Sequence, residues 1–316
     1  MKKVFLLLIS LSLFTACENE PLDSGFFETN PIGGGGSDGG SSGGSESGDL
    51  TLSLYELDTD VTFSLFGTPF QTITRSDLNI SNNIITTSSI EVSVPPTPAQ
   101  TETQTYTRNN QGQIISDISV NSAGVTTNEY VITYTDGKIS QITYDYFEDN
   151  DDDFIYNFTY NGNTATRTEV GSNISTVFTT DANNRLIKKE SFDGTTSIQV
   201  ETITYNADGN CSTSVRTGET SSNSTYVYDT NNSPLKVVYD EQYFLSFFGD
   251  EYEHEIGSFL AHFHASKNWN GVNIDGTAYN FNLQYNSANR ISSRTISYNY
   301  GSDLSFEFSE VFTYVN

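Results

Sequence analysis

Six stretches decide the fold: YTRNNQGQI (106–114), YTDGKI (134–139), YNGNTA (160–165), YNADGNC (205–211), YDTNNSPL (228–235) and YNSANRI (285–291). Each opens on a tyrosine, runs through Asn, Asp or Gly, and ends near an aliphatic or small residue. A seventh copy, TDANNRL (180–186), has lost the tyrosine. From 106 to 228 the copies recur at intervals of 28, 26, 20, 25 and 23 residues, and after a gap of 57 residues one more stands at 285. An interval of this size fits two strands and two tight turns. Asn, Asp and Gly supply the positive φ that hairpin turns require. The residues ahead of the turns alternate, as in Ile132-Thr-Tyr134 and Ile203-Thr-Tyr205, so the Ile and Tyr share a face.

The units resemble the YD repeats of the RHS family: a tyrosine, a polar residue, a Gly or Asn turn, then a basic and an aliphatic residue. Lys138-Ile139, Arg185-Leu186 and Arg290-Ile291 match the last pair. Asp193-Gly194 ahead of Tyr205, and Gly124 ahead of Tyr130 and Tyr134, match the second half of the repeat. Only Tyr228 is followed directly by Asp, and the intervals wander. The resemblance runs in pieces from Tyr106 to the C-terminus. It implies architecture rather than activity: an all-β, antiparallel meander of hairpin repeats forming a curled sheet that does not close.

Working outward, residues 50–98 read as a leading β-segment. Leu50, Leu52 and Leu54 alternate with Thr51, Ser53 and Tyr55, and further strands are expected over 61–66, 84–87 and 90–94. Pro95-Pro96-Thr97-Pro98 cannot join a central strand and separates this segment from the repeat domain, 99–316. Within that domain, 241–270 breaks the strand pattern. Ile256, Phe259, Leu260 and Phe263 fall at i, i+3, i+4 and i+7, a helical stripe, and Tyr243, Phe244, Phe247 and Phe248 suggest another helical turn. A helical insertion covering a face or edge of the sheet is expected there.

At the other end, Lys2 and Lys3 precede an apolar or small run from Val4 to Phe14, a charged n-region and a signal-length h-region. The run is too short for the roughly 20 apolar residues of a membrane-spanning helix. Leu13-Phe14-Thr15-Ala16-Cys17 resembles a lipobox, which implies a signal peptide over 1–16 and acylation of Cys17. Acidic residues soon after it (Glu18, Glu20, Asp23) resemble the surface-export signals of Bacteroidota-type lipoproteins and imply an outer-membrane, surface-facing address. Residues 17–49 read as the acylated cysteine followed by a Gly/Ser tether. The string Gly39-Gly40-Ser41-Ser42-Gly43 matches the nucleophile-elbow pattern, but that motif needs a strand before it and a helix after it.

The formal net charge of −26, which becomes −28 without Lys2 and Lys3, argues against nucleic acid, whose binding rests on Lys and Arg at phosphates. Nineteen tyrosines and 21 phenylalanines suit strands. With Cys17 acylated, Cys211 has no disulfide partner.

Residues able to carry chemistry are few. His262 and His264, with His254, Glu251, Glu253 and Glu255, have metal-ligand identities. On the helix that the stripe predicts, however, His262 and His264 stand about 200° apart and cannot share an ion. The run 148–153, Glu-Asp-Asn-Asp-Asp-Asp, lacks the glycine and the terminal glutamate of a calcium loop and reads as a solvated hairpin tip. Cys211 has no histidine beside it. No catalytic residue, cofactor or metal site is therefore expected. The expectation is a non-enzymatic binding or structural module held to a membrane through Cys17, with a glycan or a protein as ligand; the alternative is a glycan-active hydrolase with dispersed carboxylates.

Overall fold

The computed structural model describes residues 50–65, 68–147, 153–239, 243–300 and 304–315. The signal segment, Cys17, the tether and the acidic tip other than Asp153 lie outside these residues. The first fourteen strands follow one another as β1 (Thr51–Leu65), β2 (Thr68–Ser81), β3 (Ile84–Ser93), β4 (Gln100–Arg108), β5 (Ile114–Asn121), β6 (Thr126–Thr135) and β7 (Lys138–Tyr146), then β8 (Phe154–Asn161), β9 (Thr164–Glu169), β10 (Ile174–Thr180), β11 (Leu186–Asp193), β12 (Thr196–Tyr205), β13 (Cys211–Gly218) and β14 (Ser222–Asn232). Three short helices intervene: α1 (Lys236–Tyr239), α2 (Leu245–Phe248) and α3 (Gly257–Phe263). The chain ends in β15 (Lys267–Ile274), β16 (Thr277–Asn280), β17 (Asn282–Tyr285), β18 (Ile291–Tyr300) and β19 (Leu304–Val315).

The all-β antiparallel expectation holds, but the sheet does not stay open. Neighbours in sequence pair antiparallel, and β1 then pairs with β19 from Thr51↔Val315 to Phe63↔Leu304 while its other edge holds β2. The leading segment is thus the strand set that closes the ring. β16 pairs back with β15 and β17 pairs forward with β18, with only Phe281 between them. The ring is therefore continuous in the chain but interrupted in its ladder at Phe281. Apart from this seam, closure removes the edges that a curled sheet would expose.

The repeat has a physical explanation. At Asn109, Asp181, Asn206 and Asn286 the side-chain Oδ1 accepts the N–H of the residues two and four ahead, at 2.8–3.0 Å. This is the Asx turn that Asn and Asp favour. Three residues on, Gly112, Asn184, Gly209 and Asn289 take positive φ. Three of the repeat tyrosines then reach the preceding repeat: Tyr160 donates to the Ile139 carbonyl, Tyr205 to Leu186 and Tyr228 to Cys211, at 2.6–2.7 Å. Tyr314 does the same to Ile291. Lys138 lies over the Tyr160 ring and Arg185 over the Tyr205 ring, so the basic–aliphatic pair serves the next tyrosine with a cation and a carbonyl. Registered on its Asx turn, the first copy places Arg108, not Tyr106, at the tyrosine position, and Arg108 donates to the Ile85 carbonyl at 2.9 Å.

Alternation sends most apolar side chains inward, together with a set of charged and hydroxyl side chains such as Arg167, Glu201 and Ser214, and leaves mainly Thr, Ser and other polar residues outward. On the outer face Thr204 bonds Ser212 and Thr213, Gln141 bonds Asn157, and Lys188 pairs with Glu190. A lipid-facing barrel needs an apolar band there instead. A β-bulge between Leu52 and Leu54 resets the first strand, so Tyr55 and Leu57 join Leu52 in the core, and Leu54 leaves the face that the alternation assigned to it.

A closed ring of this many strands encloses more space than its wall side chains can fill. The insertion fills it. Helix begins earlier than expected, at Lys236, and strand resumes at Lys267. The segment packs on the inner face rather than over an edge. Ile256, Leu260 and Phe263 of the stripe are buried, as are Phe247 and Phe248. Phe248 contacts Phe158 and Phe178, while Phe263 packs on Tyr55 and Tyr239.

Candidate functional site

Among the polar clusters that face the interior, three grip the insertion. In the first, α3 brings His262 to Glu310 of β19, with Nε2 2.6 Å from Oε1. Tyr55 donates to the same oxygen at 2.5 Å. Arg294 clasps the carboxylate through Nε and through a second nitrogen at 2.7 Å, and its remaining nitrogen donates to the Trp269 carbonyl at 2.9 Å. Arg294 thereby joins β18 to β15 across the interrupted ladder. Burial alone would raise the Glu310 carboxyl, but Arg294 and His262 outweigh it and hold it at about 2. Burial lowers His262.

The second cluster centres on Glu201 of β12. Its Oε2 accepts the Ile256 N–H and its Oε1 the Gly257 N–H, both at 2.8 Å, while the Ser214 hydroxyl donates to Oε1 at 2.6 Å. Beside it Glu255 accepts the Tyr226 hydroxyl at 2.7 Å. Burial, and then the Glu201 charge, raise Glu255 to about 7. A buried pair of carboxylates is the constellation that a glycosidase would use. Here both oxygens of Glu201 are already occupied by the protein's own donors.

The third cluster straps the loop between α2 and α3. Arg167 of β9 donates to the Phe248 and Asp250 carbonyls, Lys189 of β11 to Glu251 and His254, Ser191 to Tyr252, and Arg216 of β13 to Glu253. Asp250 bonds Nδ1 of His254. Burial opposes the charged imidazole, but Asp250 prevails and lifts His254 to about 9. Burial lowers Lys189 to about 8.

One concave, open feature among the described residues is a cleft of about 90 Å³ at the rim carrying the repeat turns, lined by Tyr134, Tyr160, Phe178, Phe244 and Phe248, with Lys138 at its edge. Asn163 and Asn184 add amides. Aromatic faces beside a few polar groups suit a mixed ligand surface. At that volume, against the roughly 300–1,000 Å³ of whole-ligand pockets, it seats one protruding group.

His262 on α3 and His264, the residue that caps its C-terminus, are both buried, not surface-exposed. The helix keeps them apart as expected: His262 meets Glu310, while His264 sits among Tyr239, Tyr243, Phe247 and Phe259. His254, Glu251 and Glu253 gather on the strapped loop, away from both. Cys211 is buried, its thiol pushed up by that burial, and its sulfur lies 3.8 Å from the Thr213 carbonyl. Asp153 accepts the Tyr146 N–H at 2.7 Å. Sequence reading missed Glu201, Arg167, Lys189, Arg216, Arg294 and Glu310. The available signal was a charge in phase with core residues, as in Gln199-Val-Glu201-Thr-Ile203.

No family model matches the chain. No curated protein matches it either. Among solved structures it is similar to a porin-like protein from Bacteroides uniformis, with 11% identity and a TM-score of 0.46 over 84% of this chain and 98% of that one. It is also similar to a porin-like protein from Bacteroides vulgatus, with 14% identity and a TM-score of 0.28 over 67% of this chain and 93% of that one. Among the described residues, no helix is long and apolar enough to cross a membrane.

Proposed function

We propose that this chain is a lipid-anchored, non-enzymatic binding module, displayed from the outer membrane through an acylated Cys17, which presents the aromatic rim cleft to a glycan or protein ligand. One observation carries the reading: the charges of the three interior clusters are consumed in holding the insertion, while the rim cleft leaves Tyr, Phe, Lys and Asn side chains around open space. The outward strand faces are mainly polar, with apolar side chains such as Val131, Val215 and Val227 scattered among them rather than joined in a band, so the anchor, rather than the barrel, supplies membrane attachment. Several acyl chains on one cysteine suffice for this, at about 0.8 kcal/mol per buried CH₂. The Gly/Ser tether gives the barrel reach from the bilayer.

Two experiments test this. Labelling with a palmitate analogue should tag the wild type and not Cys17→Ser; equal labelling removes the anchor. The mature protein, run through gels containing soluble polysaccharides, should be retarded by at least one, with no release of reducing ends, and Lys138→Glu or Phe244→Ala should abolish the retardation. Release that disappears in Glu201→Gln would replace the binding module with a hydrolase. Failure to retain any glycan, together with no captured protein sensitive to the two cleft variants, would overturn the cleft assignment.

A further inference from the structure

The loop from Asp250 to His254 has an arrangement that the binding reading does not use. All five of its consecutive carbonyls accept hydrogen bonds from inward-facing wall side chains: Asp250 from Arg167, Glu251 and His254 from Lys189, Tyr252 from Ser191, and Glu253 from Arg216. Tyr252 also reaches Glu219, in the turn between β13 and β14, at 3.2 Å. A short irregular segment is thereby fixed at every peptide. What the fixed segment presents is Glu251, Glu253 and His254, each with one ligand atom within 4.8 Å of the others.

His254 is prepared in a specific way. Its Nδ1 is committed to Asp250, which leaves Nε2 turned towards Glu251, 3.8 Å from Oε2. A carboxylate on the far ring nitrogen, fixing tautomer and ring orientation, is the arrangement that metal-ligating histidines use. The imidazole side chain is 11% exposed whereas Glu251 is 64% exposed, so one rigid ligand sits beside adjustable ones. Two donors at about 2.0–2.1 Å from a tetrahedral ion stand about 3.3–3.4 Å apart. The present separations therefore close with small rotations of the two glutamates. His262 offers no comparable group, because its Nε2 is held by Glu310 and Tyr55.

We propose that Glu251, Glu253 and His254 bind one divalent transition-metal ion of the zinc class, with Asp250 positioning the imidazole. One imidazole and two carboxylates make three protein ligands, which leaves a coordination position for water or for an oxygen donor of another molecule. The nitrogen ligand favours zinc, nickel or copper over calcium and magnesium, which prefer all-oxygen shells. The acidic residues strewn over the rest of the chain offer only oxygen. This separates the site from general cation attraction to a surface of net charge −26.

The test uses the full mature chain and zinc chloride, with calcium chloride as control, followed by calorimetry and by metal content after dialysis. One zinc per chain is expected, with affinity at least about 100-fold above calcium, given the imidazole ligand. Glu251→Gln and Glu253→Gln, both at exposed positions, should each weaken zinc at least about tenfold while leaving the metal-free melting temperature unchanged, and Asp250→Asn should weaken it about 10–100-fold. Because Asp250→Asn also disturbs a packed pair, cobalt supplies a second readout: its visible bands in the wild type should report a tetrahedral N/O site and collapse in Glu251→Gln/Glu253→Gln. Absence of zinc uptake, equal affinity for zinc and calcium, or uptake unchanged in that double variant would each overturn the site and leave Asp250–His254 as a structural ion pair only.

Discussion

The hydroxyl of Tyr205 donates to the carbonyl of Leu186 at 2.7 Å, across nineteen residues of chain, and this contact is the joint between two repeats. Arg185, held by Asp181 at 2.6 Å, lies 4.3 Å from the centre of the same ring. Each hairpin is marginal alone, and the tyrosine couples it to the one before. Tyr205→Ala should cost on the order of 3 kcal/mol, as other large aromatic deletions do. Tyr205→Phe keeps the ring and its cation and should cost about 1 kcal/mol. Urea unfolding measures both; an unchanged midpoint for Tyr205→Ala would make the tyrosine row a ligand surface rather than a joint.

Gly257 opens α3 against the wall. A Cβ there would collide with Ser214 and the Tyr226 hydroxyl, the groups that bond Glu201 and Glu255. Gly257→Ala should therefore destabilise by about 1–3 kcal/mol through overpacking, against the usual gain from alanine in a helix. A thermal melt at or above the wild-type value would show that the insertion is not seated against β13 and β14.

Glu255 should give the stability curve a slope near neutrality. Its folded carboxyl is raised to about 7 by burial and by Glu201, above the ordinary 4.5. The contribution is therefore fully present below pH about 4.5 and is lost as pH rises through about 7. Glu255→Gln keeps an acceptor for Tyr226 without the charge. At pH 8 it should match or exceed the wild type, by on the order of 2 kcal/mol, and its stability should vary less between pH 5 and 8. Parallel pH profiles for the two proteins would contradict this.

The elements were legible where local chemistry governs them. Turns announced themselves through Asn, Asp and Gly, and the helical stripe through Ile256, Phe259, Leu260 and Phe263. Closure was not legible, because the pairing of Thr51 with Val315 depends on how twist accumulates over every intervening strand. Nor was the bulge that turns Tyr55 inward, since one unpaired residue inverts the phase of all that follow. The interior charges were hidden by the same rule that found the strands: alternation assigns polar residues to solvent, and Glu201, Lys189 and Arg294 obey the core phase. Tyr106 misled through its side chain. Its copy aligns by the backbone turn at Asn109, which puts Arg108 in the tyrosine's place.

Glu310 and Arg294 should prove the most sensitive pair in the chain. Both are buried, and Arg294 spends its remaining nitrogen on the Trp269 carbonyl, where the ladder between β16 and β17 is broken. Removing one partner leaves an uncompensated buried charge, so Glu310→Gln or Arg294→Met should each cost about 3–5 kcal/mol. Replacing both with apolar residues removes the charges together and should cost less than the two single changes summed. Acid should report the same bond. The folded Glu310 carboxyl stands at about 2 against an ordinary 4.5, so its contribution is present above pH about 4.5 and is lost as pH falls towards 2. Glu310→Gln should abolish that part of the acid limb. Denaturant melts of the singles, the double and the wild type between pH 2 and 6 decide it; additive singles, or an acid limb unchanged in Glu310→Gln, would mean that the ring holds its seam without this pair.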